Sequence, residues 1–346
     1  MNVRAGAKAD DQEARALAAA SAGDHDAFGR LTDPYAREIH LHCYRMLGSI
    51  QDAEDALQET LLRAWRYLAS FQGRSSFRAW LYRIATNVCL RKRADRASDR
   101  FMVSEAIESI APAMTQPLHL SPYPDALLDE FEASYGNPGA EYDLYESVQL
   151  AFLAAVQLLP PRQRAVLILH DVVGFSAAEV AEQLDSTTAS VNSALNRARS
   201  AMQKHQATGR LRALHNPPAD QSAESFVERC LAAWQAADVV RLSDLLKADV
   251  VMGMPALGVR LNGRSAVSEF LASVPARKER DSFRFIATRA NRQPAVAVYR
   301  LDPDGPEGIY QALAIVVLSR DGDGIRGIAA FPDPRLMPAF GLPNEL

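Results

Sequence analysis

Only three cysteines, Cys43, Cys89 and Cys230, occur in 346 residues, far apart and without a CxxC pair. That excludes a disulfide framework or a cysteine-built zinc site and predicts a reducing compartment. No apolar run approaches the length of a membrane span, and the first 23 residues lack the apolar core of a signal peptide. The expected location is therefore the cytoplasm, without a membrane partner. Excess positive charge is missing too: the net charge is −4, unlike a free-standing DNA binder. All seven histidines lie at or before His215, so the last third has no imidazole for proton transfer. On or near its helices, the remaining bases Asp244 and Asp249 read as exposed or capping groups, and no metal or other cofactor is expected.

What is present is organised by segment. Residues 1–23 read as an Ala-rich, charged tail and 24–96 as a compact helical domain. There Tyr35, Ile39, Cys43, Met46 and Leu47 keep a helical period that ends at Gly48. Ser49 then caps a helix whose first turns carry Asp52, Glu54, Asp55 and Glu59. Acid at a helix amino end is favoured by the dipole, and it also suits a docking face for a protein partner. The next helix follows Ser75 or Ser76, with Phe77, Trp80, Leu81, Ile84, Ala85 and Val88 on its packed face. Arg83, Asn87 and Arg91 stack four apart on another stripe, with Arg74 and Arg78 just upstream. Cations, an amide and aromatic rings on one helix suit a polyanion with exposed bases, with Phe71, Phe77, Trp80 and Tyr82 as stacking candidates. A solvated basic face is the plainer alternative.

Residues 97–140 change character, with scattered Pro, Gly and acid. They read as a linker with a short helix around Pro124–Ala133, able to span more than roughly 100 Å if extended. Residues 141–210 are helical again, and Leu144, Val148, Phe152 and Val156 mark the first helix there. Ser176 and Glu179 form a capping box, the helix runs to Leu184, and Asp185-Ser186-Thr187 turns into a second helix near Thr188. That is helix-turn-helix spacing. Val191, Leu195, Ala198 and Met202 face inward, leaving Ser190, Asn192, Ser193, Asn196, Arg197 and Arg199 outside, where amide, hydroxyl and guanidinium groups suit a major groove. After a second linker (211–220), residues 221–335 predict an α+β fold. Its helices come first, with strands at Val250–Met254, Ser282–Arg289, Ala295–Leu301, Ile309–Ser319 and Gly324–Phe331, the last four as an antiparallel meander. The proline-rich tail, 336–346, is expected to lie across a groove.

Taken together, these residues resemble an extracytoplasmic-function (ECF) sigma factor of the sigma-70 family, over residues 24–205. DAEDALQETLLRAWRYL is similar to the segment that docks on the polymerase clamp. FQGRSSFRAWLYRIATNVCLRKR is similar to the one that melts and reads the minus-ten element. LPPRQRAVLILHDVVGFSAAEVAEQLDSTTASVNSALNRARSAM is similar to the helix-turn-helix domain that reads the minus-thirty-five element. The resemblance implies two all-α sigma domains (regions 2 and 4), with core RNA polymerase, through its clamp and flap, and promoter DNA as partners. It places Asp52, Asp55, Gln58 and Glu59 on the polymerase side. Arg74, Ser75, Ser76, Phe77, Trp80, Arg83, Asn87 and Arg91 would surround the melted strand. Ser190, Asn192, Ser193, Asn196, Arg197 and Arg199 would face the upstream duplex.

Residues 220–335 resemble a SnoaL-like domain, the cone-shaped α+β fold shared with nuclear transport factor 2 (NTF2) and ketosteroid isomerases. The resemblance implies regulation in cis, a job otherwise done by a separate anti-sigma protein. An isomerase-type activity, a small ligand in the cone, and a free-standing helix-turn-helix regulator are the alternatives. Two departures stand out. Asp185 occupies a turn position where the family often has Gly, and Leu120-Ser121-Pro122-Tyr123-Pro124 stands where one extended group has Trp-Leu-Pro-Glu-Pro.

Overall fold

The computed structural model describes residues 13–95, 120–135, 147–207, 223–236, 238–273, 282–302 and 308–346. The chain divides into two compact units, residues 1–98 with 159–199, and residues 99–158 with 200–346.

The first unit is helical. After a helical stretch over residues 13–21 come α1 (His25–Leu47), α2 (Ile50–Tyr67) and α3 (Phe77–Asp95). Asp24 caps α1 through the Ala27 N–H, and Gly48 ends it with φ +80°, a left-handed conformation that favours glycine. Ser49 caps α2 as its spacing predicts, accepting from the Asp52 N–H at 3.3 Å. Between the two candidate caps of α3 the structure selects Ser76, whose Oγ accepts from Ala79 N–H. The core of the three helices holds Ile39, Leu41, Cys43, Tyr44, Ala53, Leu81 and Ala85, each at most 1% exposed. Further along, α6 (Pro161–Leu167) opens on a proline at its first turn. It runs into a π-helical turn at Ile168–Val172 that the sequence pattern did not indicate. Next are α7 (Ala177–Gln183) and α8 (Thr188–Ala207), joined by the expected turn.

In the second unit, α4 (Asp125–Tyr135) and α5 (Leu150–Gln157) precede the carboxy-terminal elements in sequence. The helix expected around Pro124–Ala133 is therefore present; Leu144, expected on the helix that became α5, lies outside the described residues. α9 (Ala223–Gln235) and α10 (Val239–Leu245) lead into β1 (Leu246–Met254), β2 (Val259–Asn262), α11 (Arg264–Ser273), β3 (Phe283–Ala290), β4 (Gln293–Leu301), β5 (Tyr310–Asp321) and β6 (Gly324–Phe331). They form one six-stranded sheet in the order β2-β1-β6-β5-β4-β3. β3 to β6 make the expected antiparallel meander, whereas β1 pairs with β6 in parallel. Phe226, Cys230, Leu242 and Val267 from the helices meet Val250, Val296, Leu318 and Ile325 from the strands in the core. The tail is held rather than trailing: beyond a 3-10 helix at Pro334–Phe340, Leu346 and Tyr310 exchange both backbone hydrogen bonds. All three cysteines are buried and unpaired, and burial pushes the Cys230 thiol up to about 12.

Candidate nucleic-acid and polymerase interface

The outer part of α2 carries Asp55 and Gln58, both exposed, and the half-buried Glu59. Glu59 accepts a hydrogen bond from Arg63 Nε at 2.5 Å, one turn on. Asp55 takes Lys92 of α3 at 3.1 Å. Asp52 does not belong to this outer part. It is 4% exposed. Sequence reasoning missed Leu62, which is 55% exposed. It follows Asp55 and Gln58 at helical spacing, and a large apolar side chain left outside in the middle of a polar stripe is the signal that marks it.

On α3 and the loop before it, Arg74, Ser76 and Arg91 are exposed, while Ser75, Trp80, Arg83 and Asn87 are half-buried. Phe77, expected against the melted strand, is 2% exposed and is core. Its ring is wedged among Tyr35, Phe71 and Trp80, with centroids 5.9, 5.7 and 5.5 Å away. Tyr82 is core as well, against His42 and Phe175. That leaves Phe71 and Trp80, 5.3 Å apart and half-buried, as the rings with a face to offer. Arg78 is committed inward. Its Nε lies 3.0 Å from both oxygens of the buried Glu38, and its guanidinium stands 4.9 Å from the Tyr82 ring and 5.2 Å from the Phe175 ring.

In the helix-turn-helix, the capping box is complete. Ser176 Oγ accepts from the Glu179 N–H, and the Glu179 carboxylate accepts from the Ser176 N–H at 2.8 Å and its hydroxyl at 2.7 Å. Those bonds hold the Glu179 carboxyl below its ordinary value. Ser190, Asn192, Ser193, Asn196, Arg197 and Arg199 are all exposed on α8. Arg197 donates to Ser193 Oγ at 2.9 Å. Arg199 makes a two-pronged contact with Asp171, at 2.9 and 2.6 Å, and His170 adds a third bond. Burial alone would raise the Asp171 carboxyl, but those bonds outweigh it and hold it below the usual range.

The two helical blocks meet within the first unit. Asp185, in the turn with φ +48°, accepts from Arg83 Nη2 at 2.7 Å. Arg164 is fully buried and donates to the Met46 carbonyl at 2.7 Å and the Leu159 carbonyl at 3.2 Å.

In the second unit, the β3–β4 turn grips the segment before α4. Asn291 and Arg292 both have positive φ, +54° and +59°. The Asn291 amide accepts from Tyr123 N–H at 2.8 Å and donates to the Val148 carbonyl at 2.7 Å, while its own N–H donates to the Tyr123 carbonyl. Asp125, 3% exposed, accepts from Arg292 N–H at 2.7 Å and Arg289 Nε at 3.0 Å. Burial pushes its carboxyl up, against the pull of both arginines. Arg292 also pairs with Asp129.

Comparison with known proteins assigns these parts. A Sigma-70 region 2 model matches residues 31–98, a Sigma-70 region 4 model residues 149–202, and a SnoaL-like domain model residues 227–326. The ECF RNA polymerase sigma factor SigG of Mycobacterium tuberculosis is 39% identical over 327 residues, covering 92% of this chain and 85% of SigG. The chain is an ECF RNA polymerase sigma factor. SigW of Bacillus subtilis, also an ECF sigma factor, is 30% identical over 182 residues, covering 53% of this chain and 90% of SigW. The crystal structure of the M. tuberculosis sigma factor SigJ shares the fold at 22% identity, with a TM-score of 0.55, over 89% of this chain and 97% of SigJ. The two sigma regions and the SnoaL-like domain thus follow the expected order. No described helix is long and apolar enough to cross a membrane.

Proposed function

We propose that this sigma factor binds core RNA polymerase through Asp55, Gln58, Glu59 and Leu62. In this reading it surrounds the melted minus-ten strand with Arg74, Ser75, Ser76, Trp80, Arg83, Asn87 and Arg91. The helix α8 then reads the minus-thirty-five duplex through Ser190, Asn192, Ser193, Asn196, Arg197 and Arg199. The half-buried rings of Phe71 and Trp80 suit stacking on unpaired bases, which offsets the cost of unstacking them. The exposed amide, hydroxyl and guanidinium groups of α8 suit base edges and phosphates.

The SnoaL-like domain regulates this activity in cis, and one observation carries that reading: the Asn291–Arg292 turn holds the region 2–region 4 linker at Tyr123 and Asp125. The two promoter elements lie about 25 base pairs apart by their names, or roughly 85 Å at about 3.4 Å per base pair. Arg83 and Asp185, on the two reading modules, are 2.7 Å apart, so the modules must separate to read both elements. A linker pinned partway along its length has less chain to give to that separation. Truncation near residue 210 tests this in transcription with core polymerase. The truncated chain is expected to form open complexes at lower sigma concentration than the full chain, and equal dependence would count against regulation by the domain. Asp244 and Asp249, the bases expected on or near the domain's helices, are exposed, which favours this reading over an isomerase-type one.

A further inference from the structure

The π-helical turn at Ile168–Val172 carries His170 and Asp171, which none of the roles above employs. Such turns are rare and recur at functional sites. Here the Asp171 carboxylate reaches Arg199 of α8, with Oδ2 2.9 Å from Nε and Oδ1 2.6 Å from Nη2. His170 Nδ1 lies 2.7 Å from the same Oδ1 and steadies the carboxylate from a second side. A guanidinium presents five N–H groups in a rigid fork. Asp171 takes the Nε side of that fork and leaves the end formed by Nη1 and Nη2. Arg199 keeps 49% of its side chain exposed, and no other described residue bonds to it.

We propose that Asp171 is a positioning residue, holding the Arg199 guanidinium so that its free end meets one phosphate at the rim of the minus-thirty-five groove. The role rests on α8 reading that duplex, as proposed above. Asn192, Asn196 and Arg199 stand at i, i+4 and i+7 and share one stripe of the helix. In a docked helix-turn-helix, the amino-terminal residues of the second helix reach the base edges. Arg199 lies seven residues past Asn192, or about 10 Å at about 1.5 Å per residue. A major groove is only about 12 Å wide, so that distance carries Arg199 from the bases to the sugar-phosphate wall. Two parallel N–H groups match two phosphate oxygens, and a guanidinium already held loses less freedom in making the contact.

Charge and positioning predict opposite signs for Asp171→Asn. Removing a negative charge beside DNA would by itself tighten binding, whereas loss of positioning weakens it. Anisotropy of a labelled promoter duplex, titrated with holoenzyme assembled on core polymerase, reads the difference. Asp171→Asn is expected to bind about threefold to tenfold more weakly, Arg199→Ala at least as weakly, and the double variant no more weakly than Arg199→Ala. Asp171→Ser removes the same bonds, so a folding failure in one variant leaves the other to decide. A methylphosphonate, which neutralises a single phosphate, is then scanned along the duplex. One position should weaken the unsubstituted holoenzyme and leave the Asp171 and Arg199 variants unaffected, a result that damaged folding would not give. Undiminished binding by Asp171→Asn where Asn192→Ala weakens it, or weakening that keeps every methylphosphonate penalty, would overturn the positioning role and leave the role of α8 standing. If Asn192→Ala and Arg199→Ala both bind like the unsubstituted chain, the role of α8 itself fails and the positioning role goes with it.

Discussion

Asn291 combines two demands that rarely fall on one residue. Its backbone sits in the left-handed region, which asparagine tolerates better than most side chains, and its buried amide serves Tyr123 N–H and the Val148 carbonyl. Asn291→Ala strands both groups away from water and adds backbone strain, so a loss of about 2–4 kcal/mol is expected in urea unfolding. Asn291→Gly relieves only the strain and should recover about 1 kcal/mol of that loss. A second residue-scale effect comes from α1. Burial holds His42 down to about 3 and His40 down to about 4; Arg45 and Arg78 add to the effect at His42, while a backbone bond from Ile50 partly opposes it at His40. Both folded values lie below the ordinary 6.5, so the native state binds fewer protons than the unfolded chain. Their stabilisation is whole above about pH 6.5 and is lost as pH falls toward the folded values, by up to about 1.4 kcal/mol per pH unit for each group. Urea midpoints measured from pH 7.5 down to 5 should fall accordingly, and His40→Gln should flatten the slope.

At the scale of elements, α7 is short enough to depend on its cap. Ser176→Ala removes a bond to Glu179 N–H and the hydroxyl that serves its carboxylate. A cost of about 1 kcal/mol is expected in thermal or urea unfolding. The same box was plain in the sequence, because its residues are fixed by a three-residue spacing. The helices carrying the candidate DNA-facing residues were legible for the same reason: apolar periods mark the packed face and leave the rest outside. That period puts Phe77 on the packed face, where the structure has it, and it was the family resemblance that set Phe77 against the melted strand and Asp52, which is buried, on the polymerase side. The sheet was harder to read. β1 begins at Leu246 rather than Val250, and β2 is only four residues long, too short to show an alternation. Its parallel β1–β6 pairing depends on residues more than seventy positions apart. The Asn291–Arg292 turn lacks the glycine that usually marks a hairpin, so its side-chain bonds to the linker left no local trace.

For the whole molecule, the decisive quantity is the distance between α3 and the helix-turn-helix. Donor and acceptor dyes on Ala69→Cys and Glu182→Cys report it, since the native cysteines are all buried. Transfer should be high in the free protein and drop sharply with core polymerase and promoter DNA. Salt should weaken the closed form only modestly through Arg83 and Asp185, whose side chains are 41% and 74% exposed, because such pairs contribute about 0–1 kcal/mol.

Arg164 gives that separation a further property. Its guanidinium is dry when Met46 and Leu159 receive it, and parting the helices would hand it to water. Hydration then offsets much of what the broken bonds give up. Coming back together, by contrast, requires stripping that shell before any carbonyl is regained. Release and return both pass through a guanidinium that is neither bonded nor hydrated, so a chain just freed from polymerase has that solvation barrier to cross before it shuts.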